Sequence, residues 1–322
     1  MPASGRPIHN AILKLLNRAP AQLFFFRCYN RLTKLFVRRA LVQTDFGCKV
    51  YCEPADLIQS MIYHFGVWEP AISAVVKRLL APGDVVADVG ANIGYASLLA
   101  SKIVGPNGGV VAIEAEPATH QKLRENLQAN PSAMNVRTLN VAVSDAPGSL
   151  TLFTGNESNI GAASVIASSN RRESITVDAF PLDQLLTDDE RMRLRLIKID
   201  IEGAEPAVLR RFLQTLDLYG PRTCLIVEAS PQIDRKAWSE LFTAFKEAGF
   251  YAYGIENSYS PVWYLNWRDE KPLVELRTMP DDQIDILFIP GHSTMHELRR
   301  SFSVTRSSRS HLQDAARIVA AT

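Results

Sequence analysis

The sequence predicts an α/β fold: a mostly parallel, Rossmann-like sheet with helices on both faces and an antiparallel terminal strand. Three observations predict it. Short Val- and Ile-rich runs, at residues 85–89, 110–113 and 224–227, alternate with stretches of helical period. The first run breaks at Gly90 and Gly94 into an apolar helix, the turn by which such folds cradle small ligands. The last runs, near Phe250 and Ile284, lack a long helix between them, so their strands are expected to pair antiparallel. At 322 residues and 47% hydrophobic, the chain has ample material for a large core.

In chain order, residues 1–50 come first and stand apart in charge. They hold nine basic residues against the single acid Asp45, a net +8, which leaves −7 for the remainder of a chain whose total is +1. Leu and Phe are interleaved with these charges, as in Leu23-Phe24-Phe25-Phe26-Arg27. Amphipathic helices with aromatic anchors and basic edges are expected. They suit the anionic surface of a membrane, a partner, or a cap on the domain behind them. No apolar run approaches the roughly 20 residues that span a bilayer. Arg27 and Arg31 interrupt the one candidate for a secretory leader. The near-zero total argues against a nucleic-acid partner. Four cysteines without a Cys-x-x-Cys spacing point to a reducing, cytoplasmic setting, peripheral to a membrane if the basic segment docks there. The organisation expected is a basic cap at 1–65, an α/β domain at 66–290 and a Ser/Arg-rich tail, mobile or loosely helical, at 291–322.

Within the cap, residues 44–52 read as a hairpin around Phe46-Gly47, and 56–65 as a helix stopped by Gly66. Pro70 suits the first turn of a helix over 71–80. The strand at 85–89 then leads into Gly90-Ala91-Asn92-Ile93-Gly94, with Asp88 at its carboxyl end. A helix over 95–104 follows, then a strand ending in Glu114, where a carboxylate can accept from both ribose hydroxyls of a nucleoside. A helix over 119–130 and a third strand over 136–143 come next, with Ala142 placed where an adenine would lie. The Gly/Ser/Asn-rich residues 155–170, between extended pieces at 150–153 and 175–177, read as a loop able to cover a site.

The second informative stretch is Ile197-Lys198-Ile199-Asp200-Ile201-Glu202-Gly203-Ala204-Glu205. Period two puts Lys198, Asp200 and Glu202 on one side of a strand. Unpaired, such groups are costly to bury. At the carboxyl edge of a sheet they would face a wet cleft. A helix over 204–216, a strand ending in Glu228, a helix over 237–248 and extended pieces at 250–253, 262–265 and 284–289 complete the chain.

Asp88-x-Gly90-x-Asn92-x-Gly94 resembles the first motif of class I S-adenosylmethionine-dependent methyltransferases, and the closing antiparallel pair is theirs also. With residues 83–94, Val111-Ala112-Ile113-Glu114, residues 141–145 and 197–205 in the same order and spacing, the sequence resembles the FkbM family over about residues 66–230. Ala115 stands where that family usually has proline. The resemblance implies transfer of the methyl group of S-adenosylmethionine, most often to a hydroxyl oxygen of a sugar, glycolipid or natural product. It also implies that Asp88, Gly90, Ala91, Asn92 and Gly94 line the methionine and ribose portions. Glu114 would hold the ribose, Ala142 the adenine, and Glu69 would lie beside the amino group.

Methylating an alcohol requires alignment and removal of its proton. Asp200 is the first candidate base, oriented by Lys198, with Glu202 or Glu228 binding the acceptor; His64 is a second candidate base. A divalent ion held by Asp200 and a neighbouring carboxylate would lower the hydroxyl's pKa, and this stays open. So do an N- or C-directed methyltransferase, an NAD-dependent oxidoreductase and a non-catalytic scaffold. Asn92, in place of a middle glycine, speaks against the oxidoreductase.

Overall fold

The computed structural model describes residues 22–154, 173–201, 203–268, 273–291 and 304–306. A helix, α1 (Gln22–Phe36), precedes a hairpin of β1 (Ala40–Gln43) and β2 (Lys49–Cys52). Then come α2 (Leu57–Phe65) and α3 (Pro70–Leu79). Asp56 caps α2 through the Gln59 N–H at 2.9 Å, and left-handed Gly66 ends it. The outer edge of β2 is not left bare. Asn130 and Asn126 accept the Lys49 and Tyr51 N–H groups at 2.8 Å each.

The central sheet is built from β3 (Val85–Val89), β4 (Gly109–Ile113), β5 (Val136–Leu139), β9 (Leu194–Ile199), β10 (Cys224–Ala229), β11 (Phe250–Ile255), β12 (Leu273–Glu275), β13 (Ile284–Pro290) and β14 (Val304–Arg306). Its order is β14-β12-β11-β13-β10-β9-β3-β4-β5. Strands β10, β9, β3, β4 and β5 are parallel neighbours, and β13 runs antiparallel between β10 and β11. The mostly parallel α/β sheet with an antiparallel strand is therefore present, that strand lying within the sheet and not at its edge. One face, carrying Ala87, Val89, Ile197 and Val227, is covered by α8 (Glu205–Gln214) and α9 (Arg235–Glu247) through Phe212, Trp238 and Phe245. The other, carrying Val86, Leu196, Ile226 and Leu287, packs on α3 and α4 (Tyr95–Val104) through Val75, Leu79 and Leu99. Burial on both faces is what makes these strands almost wholly apolar.

Three expectations need correction. The third strand does not run from 136 to 143. After β5, Asn140 turns its side chain back to the carbonyls of Glu114 and Ala115 at 2.9 and 3.0 Å. The chain then leaves the central sheet as β6 (Ala142–Ser144), which pairs with β8 (Glu173–Pro181) in a separate sheet of order β6-β8-β7, where β7 is Gly148–Thr154. Residues 262–265 lie in a short helix, α10 (Pro261–Asn266), because Pro261 sits in its first turn and Tyr264 turns inward. Within the tail, 304–306 form β14 beside β12, since the parallel pairing covers the sheet's open edge. The covering loop expected at 155–170 lies outside the described residues. Helix α5 (Pro117–Gln128) starts earlier than expected, with Glu116 as its cap and Pro117 in its first turn. The remaining elements are α6 (Leu182–Leu185), α7 (Asp188–Arg193) and a 3-10 turn at Leu216–Leu218.

Candidate active site

Period two explains the site. The face of the sheet that packs on α3 and α4 carries Val86, Leu196, Ile226 and Leu287. Two residues nearer the strands' ends on that face stand Asp88, Lys198 and Glu228, and on antiparallel β13 the equivalent step back reaches Asp285. Register joins them: Asp88 is opposite Lys198, and Glu228 is opposite Asp285. Adjacent strands thus end in ionisable groups just where the apolar cover stops. Above them begins α3. Its cap residue Glu69 has φ +43° and makes no capping bond, so its carboxylate is free to turn inward.

The electrostatics follow from this crowding. Lys198 donates to Asp200 Oδ2 at 2.8 Å; its side chain is 9% exposed, that of Asp200 31%. Burial opposes the Lys198 charge, but Asp200, Glu69 and Asp88 together outweigh it and hold the pKa above the ordinary lysine range. Burial drives the Glu69 carboxyl up from 4.5 to about 7, tempered by Lys198. Burial, then Glu69 and Glu228, push Asp285 well above the usual carboxylate range. Asn257 bridges the two acids, donating to Asp285 at 3.1 Å and to Glu69 at 3.4 Å, and the Tyr259 hydroxyl donates to Glu69 at 3.3 Å. Asp88 accepts from the Ser97 hydroxyl at 2.5 Å, while its other oxygen, Oδ1, is buried without a hydrogen-bond partner.

On the opposite side lies the glycine turn. Gly90 has φ +82°, and a Cβ there would overlap the Asp200 carbonyl oxygen, so both backbone and space demand glycine. Asn92 has φ +50°, a conformation asparagine tolerates better than most residues. In that conformation its N–H donates to Glu114 Oε2 at 2.8 Å, while Glu114 Oε1 accepts from the Glu116 N–H at 2.9 Å. Burial nonetheless raises Glu114 from 4.5 to about 7.

One cleft joins these groups. Glu69, Asp88, Gly90, Ala91, Asn92, Glu114, Ala142, Lys198, Asp200 and Glu228 all line it. Gly94 does not: at φ +90° it serves the turn and gives room to Leu123. Glu202 lies outside the described residues. His64 is not at the cleft. It is buried between α1 and α2, its Nε2 on Asn30 at 3.0 Å and its ring against Phe26 and Tyr63, so packing accounts for it. Glu205 bends the chain after β9 by accepting the Ile201 and Gly203 N–H groups at 3.0 and 2.9 Å. Among the described residues no group of three His, Cys, Asp or Glu side chains has the spacing of a metal centre.

Sequence reasoning missed Asp285, Asn257 and Tyr259. Asp285 left a signal, an acid inside the apolar run Ile284–Pro290. Tyr259 left none. Its ring stacks on Trp68 with centroids 5.1 Å apart and planes 1° from parallel, a pair that lines the cleft.

Hexuronic acid methyltransferase AglP of Haloferax volcanii is 28% identical over 175 residues, covering 53% of this chain and 68% of the relative. Among solved structures, an S-adenosylmethionine-dependent O-methyltransferase of Thermotoga maritima aligns with 79% of this chain and 78% of its own, at 14% identity and TM-score 0.41. Fibrillarin of Aeropyrum pernix, solved with S-adenosyl-L-methionine, covers 78% of this chain and 94% of its own at 11% identity and TM-score 0.39. The family model of the methyltransferase FkbM domain matches residues 88–251, just over half of the chain, running from the aspartate of the glycine turn through the Lys198–Asp200 pair into β11. The chain belongs to the FkbM family of S-adenosylmethionine-dependent methyltransferases.

Proposed function

We propose that the chain methylates a hydroxyl oxygen of a neutral sugar. The observation that carries this is the meeting, in one cleft, of the Lys198–Asp200 pair with the stacked Trp68–Tyr259 rings. Sugars offer hydroxyls to carboxylates and C–H faces to aromatic rings, and this wall presents both. The relative's name supports a sugar. The charge supports a neutral one: among the described residues that line the cleft Lys198 is the one cation, and Asp200, Glu69 and Asp88 already surround it.

The residues on the glycine side fit the donor. The orphaned Asp88 Oδ1 suits an N–H or O–H group, Glu114 the ribose, Glu69 the ammonium and Ala142 the adenine edge. S-adenosylmethionine, when bound, supplies a methyl group on a positively charged sulfur, and no metal is needed to activate it. Asp200 meets Lys198 through Oδ2, and its Oδ1, with no partner among the described residues, is the oxygen for the acceptor hydroxyl. It takes the hydroxyl proton as the new carbon–oxygen bond forms. Glu228 accepts from a neighbouring hydroxyl and sets the acceptor's orientation.

The test is transfer from methyl-labelled S-adenosylmethionine to a neutral hexoside, a hexuronic acid and an amine acceptor. Alkali-stable label on the hexoside is expected, because an ether survives where a uronate ester is cleaved. Label on the amine, or only alkali-labile label, overturns the proposal.

The raised carboxyls make donor binding pH-dependent. Glu69 and Glu114 have folded pKa values of about 7 against 4.5, so they favour the protonated state. Their contribution to stability is complete below pH 4.5 and is lost as pH rises through about 7. Gripping a cation and a ribose needs them ionised. Calorimetry should therefore show affinity for S-adenosylmethionine falling about tenfold per linked proton from pH 8 to pH 6, with proton release on binding at pH 6.5. A flat profile contradicts these roles.

A further inference from the structure

Helix α1 divides its circumference into three. Phe26, 1% exposed, Thr33 and Asn30 form the docked face: Phe26 packs on Phe65 and His64 at 5.5 and 5.1 Å, and Asn30 meets Ser60 and His64 at 3.0 Å. At about 100° per residue, Phe24, Phe25, Leu32, Leu35 and Phe36 fall together on a second arc. They are 64%, 47%, 53%, 70% and 81% exposed. Arg27, Arg31 and Lys34 occupy the arc between, and the helix contains no acid. A globular domain rarely exposes so many large apolar side chains on one helix.

We propose that α1 seats the protein on the surface of an anionic phospholipid bilayer. Its Phe and Leu side chains enter the acyl boundary, and Arg27, Arg31 and Lys34 meet the lipid phosphates. The basic arc beside the apolar one, with no acid on either, is what selects this occupant. A second copy of the chain packed antiparallel through the same face would set the two basic arcs against each other. The cleft lies next to this surface: Lys34 donates to the Ala55 carbonyl at 3.3 Å, and Leu57 and Ile58, just beyond, line the cleft. An acceptor held in the bilayer surface would therefore present itself at the rim of the site.

The test is co-flotation of the full chain with vesicles of phosphatidylcholine alone and of phosphatidylcholine with about one third phosphatidylglycerol. It reads binding without turnover, so it succeeds or fails separately from the proposed reaction. Binding to the anionic vesicles is expected to exceed that to the neutral ones at least tenfold and to weaken with salt. Arg27→Gln with Arg31→Gln should reduce it about 25-fold, at roughly fivefold per charge. Phe25→Ser with Leu32→Ser and Phe36→Ser should abolish it at any salt, while melting temperature and S-adenosylmethionine affinity stay at the wild-type values. Equal binding to both vesicles, or retained binding by the triple variant, overturns the proposal. So does a dimer in sedimentation velocity that the triple variant dissolves.

Discussion

Replacing Asp200 by asparagine should lower kcat about 10²- to 10⁴-fold while leaving S-adenosylmethionine affinity within about threefold of wild type. The substitution keeps shape, and the amide oxygen can still accept from Lys198, whose nitrogen lies 2.8 Å from Asp200 Oδ2. What it removes is the ability to take a proton. Lys198 retains Glu69 and Asp88 as counter-charges, so its own placement should survive. Single-turnover methylation and calorimetry on the same preparation separate the outcomes. Wild-type turnover in the variant would remove Asp200 from the reaction, and lost donor affinity would reassign it to binding.

The second large effect is on stability. Gly90→Ala should destabilise the fold by about 2–4 kcal/mol, combining an unfavourable backbone conformation with an overlap that must be relieved by movement. At φ +82° the new methyl would meet the Asp200 carbonyl oxygen, which is backbone and cannot rotate away. The Asp200 N–H also donates to the Val89 carbonyl at 3.0 Å, so displacing one end of this contact disturbs β3 and β9 together. Gly83→Ala is the matched control. Its φ is +91°, yet nothing lies within 4 Å of the added methyl. It should cost only about 1 kcal/mol. Similar melting temperatures for the two variants would show that the close approach at Gly90 carries no energy.

The two sides of the cleft were unequally legible. Gly90, Asn92 and Glu114 could be read because their reasons are local: a turn that demands positive φ and a strand that ends in an acid. Lys198 and Asp200 could be read because alternation within one strand exposes misplaced charge. Glu205 was visible as part of a motif, but its work is to close the turn after β9. The side with Glu228 and Trp68 is different in kind. Asp285 meets Glu228 only because β13 runs antiparallel beside β10, and Tyr259 meets Trp68 across a separation of nearly two hundred positions. No local period records such encounters. The departure of the chain at Asn140 was hidden for the same reason: Val141-Ala142-Val143 has strand character in either sheet, and only its partner β8 decides which.

That departure has a consequence for how such an enzyme diversifies. Ala142, Leu150 and Leu152 line the cleft, yet they belong to the small β6-β8-β7 sheet, whereas Asp88, Lys198 and Glu228 belong to the large one. The chain enters the small sheet at Ala142, opposite Ala179, and leaves it at Pro181, opposite Ser144. Among the described residues the small sheet shares no strand pairing with the large one. It can lengthen, shorten or be exchanged while the strands that hold the charged row keep their neighbours. One wall of the pocket is thus free to vary in shape, and the other is bound to the sheet that keeps the protein folded.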